Sequence, residues 1–410
     1  MKIAVIGGGA AGLTASVIAG KSGAEVTIYE KMNRVGKKIL ATGNGRCNYT
    51  NMNLSINCYH GKNIRDAQKV LEIFDLDRTL KFFEDLGIYP YIDESGKVYP
   101  NSLQASSILD VLRYEAKRLN VEEITDFEVV ELRYDKGEFS IIGNSDIFYA
   151  DRVILCTGGK ASPQLGSNGE GYKIAQSLGH KIVEPFPALV QLKLNGKFFR
   201  RIAGIRFDTR VKAATDKKTI RVEDGEILFT EYGISGPPIL QISRRAIEEM
   251  SKGESVYIEI DMFPNINKNN LYEILRDRFY KISYKNLEDA MIGFINKKLI
   301  PVILNEAGFD NYDNKEVICK NLNKKQIYRI VNVLKEWRFE IIGHNTWQQA
   351  QVTAGGIDLS EVSPETLESK KVKGLYLAGE LLDVDGDCGG FNLQWAWSSG
   401  YTAGYCSSKQ

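Results

Sequence analysis

The sequence predicts an α/β fold: a parallel sheet flanked by helices, interrupted by an inserted domain that is first β-rich and then helical. Three observations predict it. The chain opens with the apolar run 3–6, which leads directly into a glycine-rich loop, as expected for a strand buried on both faces of a parallel sheet. The same strand-to-glycine pattern returns at 152–162 and at 374–387. Between these two returns the pattern changes to short alternating runs, which are typical of antiparallel strands.

Length and composition describe an ordinary globular protein of two or three domains. The 410 residues are 43% hydrophobic and 26% charged, and 53 basic against 52 acidic residues give a net charge of +1. This balance argues against nucleic acid or an acidic membrane as the main partner. The 6 cysteines are scattered without a C-x-x-C pair, and 3 histidines are too few for a zinc site. We therefore expect no metal, and free thiols in a reducing cytoplasm.

The start of the chain does not read as a targeting segment. Its apolar run ends in glycines directly after Ile6, before a signal peptide could be complete. No apolar stretch approaches the roughly 20 residues that a membrane helix needs. We expect neither a signal peptide nor a membrane span.

The N-terminal loop is a dinucleotide-binding fingerprint. Gly7, Gly9 and Gly12 form a G-x-G-x-x-G, followed by a helical run and by a second apolar strand that ends on Glu30. Gly7 permits the tight turn, Gly9 lets the backbone approach a pyrophosphate, and Gly12 lets helix and strand pack closely. The helix N-terminus offers free N–H groups to the phosphates. Glu30 is placed to accept hydrogen bonds from a ribose diol.

The fingerprint alone does not separate NAD from FAD, but the later strands favour FAD. A domain for NAD is normally complete within about 150 contiguous residues. Here strands recur far along the chain, and two of them end in Thr157-Gly158 and Gly379-Glu380, which suggests further phosphate or sugar contacts. The C-terminal segment is then the closing piece of the first domain. Its helix, from Asn392 onward, would direct the positive end of its dipole at the flavin edge that becomes anionic on reduction.

The predicted domain bounds follow from these changes of pattern. We assign 1–188 and 345–410 to a discontinuous FAD-binding domain, 189–264 and 336–344 to a β-rich, barrel-like substrate or cap domain, and 265–335 to a helical subdomain. Within the β-rich part, the E-D-G-E at 223–226 predicts a turn between two short strands.

Four longer segments carry a resemblance that is more specific than any glycine motif. They spread over nearly the whole chain, at 36–51, 228–237, 351–362 and 376–400. On them the chain resembles the bacterial FAD-dependent oxidoreductase family named after aminoacetone oxidase, which includes a bile-acid-inducible flavoprotein. This family belongs to the two-dinucleotide-binding-domain flavoproteins. The resemblance implies a Rossmann-like FAD-binding domain of the glutathione-reductase type and non-covalent FAD.

The resemblance also implies cofactor contacts for individual residues. Grouped by the part of FAD that each would meet, they are Gly7, Gly9, Ala11 and Gly12 for the pyrophosphate, Glu30 and Lys31 for the adenosine ribose, Val129 for adenine, Gly379 and Glu380 for the ribityl chain, Asn392 and Leu393 for the flavin ring, and Arg46 and Asn48 for the cofactor in general. The residue pattern adds Thr157 and Gly158 at a strand end. It also adds Lys38 as a cation that would offset phosphate charge, with a solvated basic loop as the alternative for this lysine.

Together these features predict an FAD-dependent oxidoreductase that passes hydride between a small organic substrate and flavin N5. An amine or aminoketone oxidase and an NAD(P)H-linked ene-type reductase fit equally well, and O2 and transient NAD(P)H both stay open as partners of the cofactor. A flavin-dependent RNA-modifying or RNA-binding protein is the alternative, because such proteins share the N-terminal fingerprint; it would need a basic surface. The sequence does not identify the substrate, the proton-transfer residue or the oligomeric state.

Overall fold

The computed structural model describes residues 1–309 and 317–409, and the chain divides into two compact units. The first unit comprises Met1–Ala188 and Trp347–Gln410, and the second comprises Leu189–Thr346. The first unit is therefore discontinuous, with the second inserted into it along the chain. The predicted fold class, an α/β sheet domain interrupted by a β-rich and helical insertion, is confirmed.

A parallel sheet forms the centre of the first unit. Its strands pair in the order Leu375–Leu377, Arg152–Leu155, Lys2–Ile6, Glu25–Tyr29 and Glu122–Ile124. Val5 lies in register between Ile154 and Ile28, and all three side chains are fully buried. Because the strands are parallel, their carboxyl ends share one edge of the sheet. The glycine loops that follow three of these strands therefore meet at that edge.

Helices and smaller antiparallel sheets surround this central sheet. The helices of the first unit are Ala10–Lys21, Lys37–Ala41, Ile64–Ile73, Leu76–Asp85, Ala105–Arg118, Glu170–Ser177 and Phe391–Ser407. Its antiparallel strands are Thr50–Asn51, Tyr59–His60, Pro90–Ile92, Lys97–Pro100, Val129–Asp135, Glu138–Gly143, Ile147–Ala150, Ile182–Ala188, Val352–Ile357 and Asp385–Gly386. The strand before the insertion pairs with the strand after it, Ile182 with Ile357 and Ala188 with Val352, which brings the two ends of the interruption together.

The last helix of the unit packs directly on the first. A Cβ on Gly400 would lie 2.4 Å from the Ala11 carbonyl oxygen, and one on Gly404 would lie 2.4 Å from the Ala15 carbonyl oxygen. These separations are shorter than any non-bonded carbon–oxygen contact, so only glycine fits at either position. The C-terminal segment therefore completes the domain that the N-terminal segment begins.

The second unit is a closed antiparallel barrel with attached helices. The barrel strands follow the order Leu192–Leu194, Gly233–Ser235, Thr219–Thr230, Arg206–Ala214, Tyr257–Asp261 and Trp337–His344. The helices of this unit are Phe199–Ile202, Pro237–Ser251, Lys268–Lys281, Leu287–Ala290, Ile300–Glu306 and Lys324–Lys335. Inside the barrel, Phe199, Phe229 and Phe339 pack around Trp337 or one another at ring-centre distances of 4.8 to 6.2 Å.

The prediction of a turn at 223–226 is wrong. These residues lie inside the strand Thr219–Thr230 and pair residue by residue with Arg206–Ala214. Gly225 has φ +144°, and a Cβ there would lie 3.2 Å from Cγ of Pro238. This glycine therefore lets the helix Pro237–Ser251 approach the strand closely and does not reverse the chain.

Three further features concern the predicted environment. Within residues 1–309 and 317–409, no helix combines the length and the apolar character needed to cross a bilayer. Over the same residues, no group of three or more His, Cys, Asp or Glu side chains is arranged to hold a metal ion. All 6 cysteines lie within these residues, and none of them forms a disulfide.

Gly404→Val is expected to destabilise the first unit, because the added side chain would begin 2.4 Å from the Ala15 carbonyl oxygen. Overpacking of this kind costs roughly 1–3 kcal/mol, so thermal melting followed by circular dichroism should give a clearly lower midpoint. Tyr405→Ala is the control, since that side chain is exposed on the same helix, and it should lower the midpoint much less. Equal midpoints for the two variants would contradict the helix packing.

Candidate cofactor site

The glycine loop after the first strand is shaped for a close approach between backbone and ligand. Gly7 has φ +103°, and a Cβ there would lie 2.6 Å from the Cys156 carbonyl oxygen. A Cβ on Gly12 would lie 2.0 Å from the Gly7 carbonyl oxygen, so both positions need glycine. Gly9 differs, because an added Cβ would meet no atom within 4 Å. It therefore leaves open space before the helix Ala10–Lys21, where free backbone N–H groups favour a phosphate.

A cavity beside this loop brings five of the predicted residues together. Its lining includes Gly7, Glu30, Lys31, Val129 and Thr157. The other lining residues were not among the predicted cofactor contacts; they are Ile6, Tyr29, Phe127, Glu128, Gly166, Asn168, Glu170, Gly171 and Ile174. Aromatic and aliphatic side chains make part of the wall apolar, and a few charged groups complete it. This combination is typical of a site for a nucleotide or another small ligand.

Glu30 is held in place by two backbone N–H groups, one in the glycine loop and one just after Glu30 itself. Its Oε2 accepts the N–H of Gly8 at 2.8 Å, and its Oε1 accepts the N–H of Met32 at 2.9 Å. Each carboxylate oxygen has a further lone pair, so the group is still able to accept hydrogen bonds from a ribose diol. The side chain is oriented before any ligand arrives.

Lys31 lies between two carboxylates. Its Nζ is 3.8 Å from Glu128 Oε1 and 3.3 Å from Glu170 Oε2. A hydrogen bond with Glu128 lowers the pKa of Glu170 to about 2, and the same bond raises the pKa of Glu128. The two carboxyl groups therefore lie within hydrogen-bond reach of each other beside the cavity. Together with Glu30 they make this end of the site acidic, which suits a ribose that carries no 2′-phosphate.

Lys38 and Glu380, predicted as separate cofactor contacts, form an ion pair. Lys38 Nζ lies 2.6 Å from Glu380 Oε2, and Glu380 Oε1 accepts the N–H of Thr353 at 2.8 Å. The Thr353 hydroxyl oxygen in turn accepts the N–H groups of Lys160 and Ala161 at 2.8 and 2.9 Å. Thr353 thereby links the two loops that contain Lys160 and Glu380, each of which follows a strand of the central sheet. The sequence pointed to Thr353 only because it lies in segment 351–362, which carries the family resemblance.

Two glycines that were predicted as cofactor contacts lie very close to other protein atoms. Gly379 has φ +77°, and a Cβ there would lie 2.9 Å from Cβ of Ala11. Gly158 has φ +75°, and a Cβ there would lie 2.6 Å from the Ser167 hydroxyl oxygen. Ala11 and Gly379 therefore approach each other closely at the start of the first helix. This is the place where the phosphates of the predicted cofactor would lie.

Arg46 and Asn48 lie apart from the cavity lining. Arg46 is exposed, and its guanidinium carbon is 5.1 Å from the centre of the Tyr99 ring. Asn48 is buried, and its Nδ2 donates to the carbonyl oxygens of Thr50 and Val98. The structure does not bring either residue to the adenosine end of the site, and their contact with another part of FAD stays a prediction.

Asn392 stabilises the loop before the last helix. Its Oδ1 accepts the N–H of Gly386 at 2.8 Å, and its Nδ2 donates to the carbonyl oxygen of the same glycine at 2.7 Å. Leu393 is half-buried beside it. A ligand in front of this helix of 17 residues would face its N-terminal partial positive charge. Contact of Asn392 and Leu393 with the flavin ring stays a prediction.

A buried polar network, which the sequence did not reveal, fixes the same helix. Gln394 is fully buried; its Oε1 accepts from the Thr50 hydroxyl at 2.6 Å, and its Nε2 donates to the Thr79 hydroxyl at 2.7 Å. The two tryptophans of the helix are also buried and donate their indole N–H groups to carbonyl oxygens, Trp395 to Gly379 and Trp397 to Tyr49. These side chains come from distant segments, so no local pattern could have paired them.

An unpaired buried polar atom tests whether this site fits a dinucleotide. Among the described residues that line the cavity, Thr157 carries a buried Oγ1 without a hydrogen-bond partner. Such an atom costs roughly 1–3 kcal/mol, which a bound polar ligand would recover. Together with the open space at Gly9 and the free acceptor capacity of Glu30, Thr157 fits an adenine dinucleotide such as FAD.

The fold and this site define a dinucleotide-binding α/β flavoprotein, and comparison with known proteins gives its family. Residues 1–406 match the family described as HI0933-like protein Rossmann domain. The chain belongs to this family. Such a match over nearly the whole chain covers both compact units.

Two relatives and one solved structure illustrate the likeness. The chain is 40% identical over 411 residues to the 3-dehydro-bile acid delta(4,6)-reductase of Clostridium scindens, covering 100% of this chain and 99% of that protein. It is 31% identical over 413 residues to the ribosomal RNA dihydrouridine synthase of Haemophilus influenzae, covering 99% and 98%. The structure of 3-ketosteroid delta1-dehydrogenase from Sterolibacterium denitrificans has a TM-score of 0.51 at 12% identity, covering 99% of both chains, and shows the fold alone.

These findings confirm the predicted family and enzyme class. The protein is an FAD-dependent oxidoreductase. The individual cofactor contacts remain predictions, and the residues gathered around the cavity are the part of the site that the geometry supports best.

Gly9→Val is expected to lower FAD retention while leaving the cofactor-free protein as stable as before, because the side chain would enter space without protein atoms. Flavin absorbance per protein after gel filtration measures retention, and melting of the cofactor-free protein measures stability. Gly12→Ala is the contrasting variant: its Cβ would lie 2.0 Å from the Gly7 carbonyl oxygen, so it should lower stability itself. Full FAD retention by the Gly9 variant would show that the loop does not carry the pyrophosphate.

Proposed function

We propose that this flavoenzyme is an ene-type reductase, which saturates a carbon–carbon double bond conjugated to a carbonyl group. One observation carries the proposal. Two relatives that match along nearly their full length, a 3-dehydro-bile acid delta(4,6)-reductase and a dihydrouridine synthase, are both named for adding hydrogen across a double bond. Their substrates differ, so the shared element is the reaction. The amine or aminoketone oxidase has no counterpart in these two relatives.

The chain's own residues would bind and orient the cofactor for this reaction. The glycine loop, Glu30 and the Lys38–Glu380 pair support binding along the phosphates and sugars. Asn392 and Gln394 fix the start of the last helix, whose N-terminal dipole would stabilise negative charge that develops in front of it. FAD, when bound, supplies the two-electron transfer.

A small organic molecule is the proposed substrate, and uridine in RNA is the second candidate. The bile-acid enzyme is 40% identical and the RNA-modifying enzyme 31% identical, which favours the small molecule. The net charge of +1 supports the same choice, because RNA binding depends on basic surface. The second candidate rests on a match over 99% of this chain. None of the 6 cysteines forms a disulfide, which supports the predicted cytoplasmic location.

The proposal predicts which compounds reoxidise the reduced holoenzyme without oxygen. A 3-oxo steroid with conjugated ring double bonds should restore the absorbance of oxidised flavin in dithionite-reduced protein, and mass spectrometry should detect two added hydrogen atoms for each double bond. The fully saturated 3-oxo steroid has the same skeleton but no acceptor bond, so it is the control and should leave the flavin reduced.

Two outcomes would contradict the proposal. Bleaching of oxidised flavin by amines, with peroxide formed in air and no reaction with any conjugated ketone, would indicate an oxidase. Dihydrouridine in added ribosomal RNA, with every small conjugated ketone inert, would leave the ene-type reaction standing and would overturn the small-molecule substrate in favour of the second candidate. Protein carrying Gly9→Val serves as the cofactor-poor control in both assays.

A further inference from the structure

A group of hydrogen-bond donors with unused capacity lies beside the start of the last helix of the first unit. It consists of Arg46, Lys97 and Tyr99, and we name it the donor cluster. Lys97 and Tyr99 stand two residues apart on one strand, so their side chains share a face of it. The guanidinium carbon of Arg46 lies 5.1 Å from the centre of the Tyr99 ring. Among the described residues, none of the three forms an ion pair, and the Tyr99 hydroxyl has no hydrogen-bond partner.

Tyr99 has a buried ring and an accessible hydroxyl. The residue is only 6% exposed, and its oxygen is not one of the fully buried side-chain atoms that lack a partner, so the hydroxyl belongs to the exposed part. Burial raises the pKa of Tyr99, and the nearby Arg46 guanidinium opposes that rise. The phenol therefore keeps its proton near neutral pH and is able to donate it in a hydrogen bond, while the guanidinium would stabilise negative charge at the same place.

Arg46 differs from other exposed cations because the backbone around it is constrained. Arg65 of the same unit is also exposed and forms no ion pair in the part of the chain that the structure describes, but it lies on a regular helix. The residues on either side of Arg46, Gly45 and Cys47, both have left-handed backbone, with φ of +81° and +57°. A non-glycine residue in this region is strained, and such strain is concentrated at ligand sites. Arg46 Nε donates to the Gly43 carbonyl oxygen at 3.4 Å, which leaves both terminal nitrogens for a ligand.

Contacts place the donor cluster at the loop that leads into the helix Phe391–Ser407. A Cβ on Gly389 would lie 3.7 Å from Cε of Lys97. Cys388, the residue before it, interacts electrostatically with both Lys97 and Tyr99. All of these residues belong to the first unit, as does the glycine loop. The cluster therefore lies beside the N-terminal partial positive charge of this helix, which is the part of the site predicted for the flavin ring.

We propose that Tyr99 and Arg46 bind the carbonyl oxygen of the conjugated substrate and stabilise the negative charge that this oxygen gains during reduction. The inference rests on the proposed function, because reduction of a conjugated ketone places charge on that oxygen. Hydride from reduced FAD forms a bond to the carbon of the double bond that is farther from the carbonyl group. The displaced π electrons move to the carbonyl oxygen and give an enolate, and water then supplies a proton to the nearer carbon. Donors that are fixed beforehand stabilise such charge without reorganising.

The first test compares Tyr99→Phe with Tyr91→Phe, which each remove one hydroxyl. Tyr91 is the matched control, because it pairs with Tyr99 on the adjacent strand and is 45% exposed. Dithionite-reduced holoenzyme is mixed without oxygen with a saturating 3-oxo steroid that has conjugated ring double bonds. Reoxidation of the flavin should be about 100-fold slower in Tyr99→Phe, because one donor to a developing oxyanion contributes roughly 10²–10³-fold to the rate. Tyr91→Phe should stay near the wild type.

A second test measures recognition of an anionic oxygen without turnover. Calorimetry on the oxidised holoenzyme follows p-nitrophenolate, which carries a negative oxygen on a flat conjugated system, and p-nitroanisole, its uncharged methyl ether. The wild type should bind the phenolate more tightly. Arg46→Gln should weaken phenolate binding about tenfold, as expected for loss of a charge-assisted hydrogen bond, and should leave p-nitroanisole unchanged. Arg65→Gln removes an exposed arginine of the same unit and should change neither.

The two tests separate this inference from the proposed function. If the wild type reduces no conjugated ketone, the proposed function fails, while the phenolate result still decides whether the donor cluster binds an anionic oxygen. If the wild type reduces ketones and both variants behave like their controls, the inference is overturned and the proposed function stands. Equal losses of p-nitrophenolate and p-nitroanisole would also overturn it, because charge would then play no part. Arg46→Lys keeps the charge and repeats the second test if Arg46→Gln melts early or loses FAD; it should retain part of the preference for the phenolate.

Discussion

Direct contact between the first and last helices is the constraint on which the first unit depends. Gly400 and Gly404 rest against the backbone of Ala11 and Ala15 with no side chain between them. Gly379 also lies close to Ala11, and its carbonyl oxygen accepts the indole N–H of Trp395. The loop that would carry the pyrophosphate is therefore built from both ends of the chain at once. A shift of either helix would open it.

The same constraint explains why the last helix is rich in polar residues although it is buried. A helix that is buried over most of its surface must satisfy the polar groups on its buried faces within the protein. Gln394 does so with Thr50 and Thr79, and Trp397 does so with the carbonyl oxygen of Tyr49. Because each bond has a narrow range of geometry, the set fixes the helix in rotation and in translation. The position of its N-terminus follows from these distant bonds.

Features that depend on neighbouring residues could be predicted from the sequence, whereas contacts between distant segments could not. A glycine turn, a strand end and the carboxylate at Glu30 each depend on a few neighbouring residues, so they could be predicted. The Glu128–Glu170 pair and the role of Thr353 depend on segments that meet only in the folded chain. Gly225 was misread because a glycine serves equally well in a turn and at a close contact, and the contact partner lies beyond the local window.

The meeting of the two helices also sets an order of events during synthesis. Ala15 and Gly404 are separated by nearly the entire chain, and contacts between such distant residues form late in folding. A growing polypeptide on the ribosome must keep its amino-terminal helix uncovered, whereas the contiguous barrel is able to fold as soon as it emerges. Uptake of the yellow prosthetic group is accordingly a closing step of biogenesis. A chain stalled ahead of Gly400 would accumulate as colourless protein and become a substrate for chaperones and proteases.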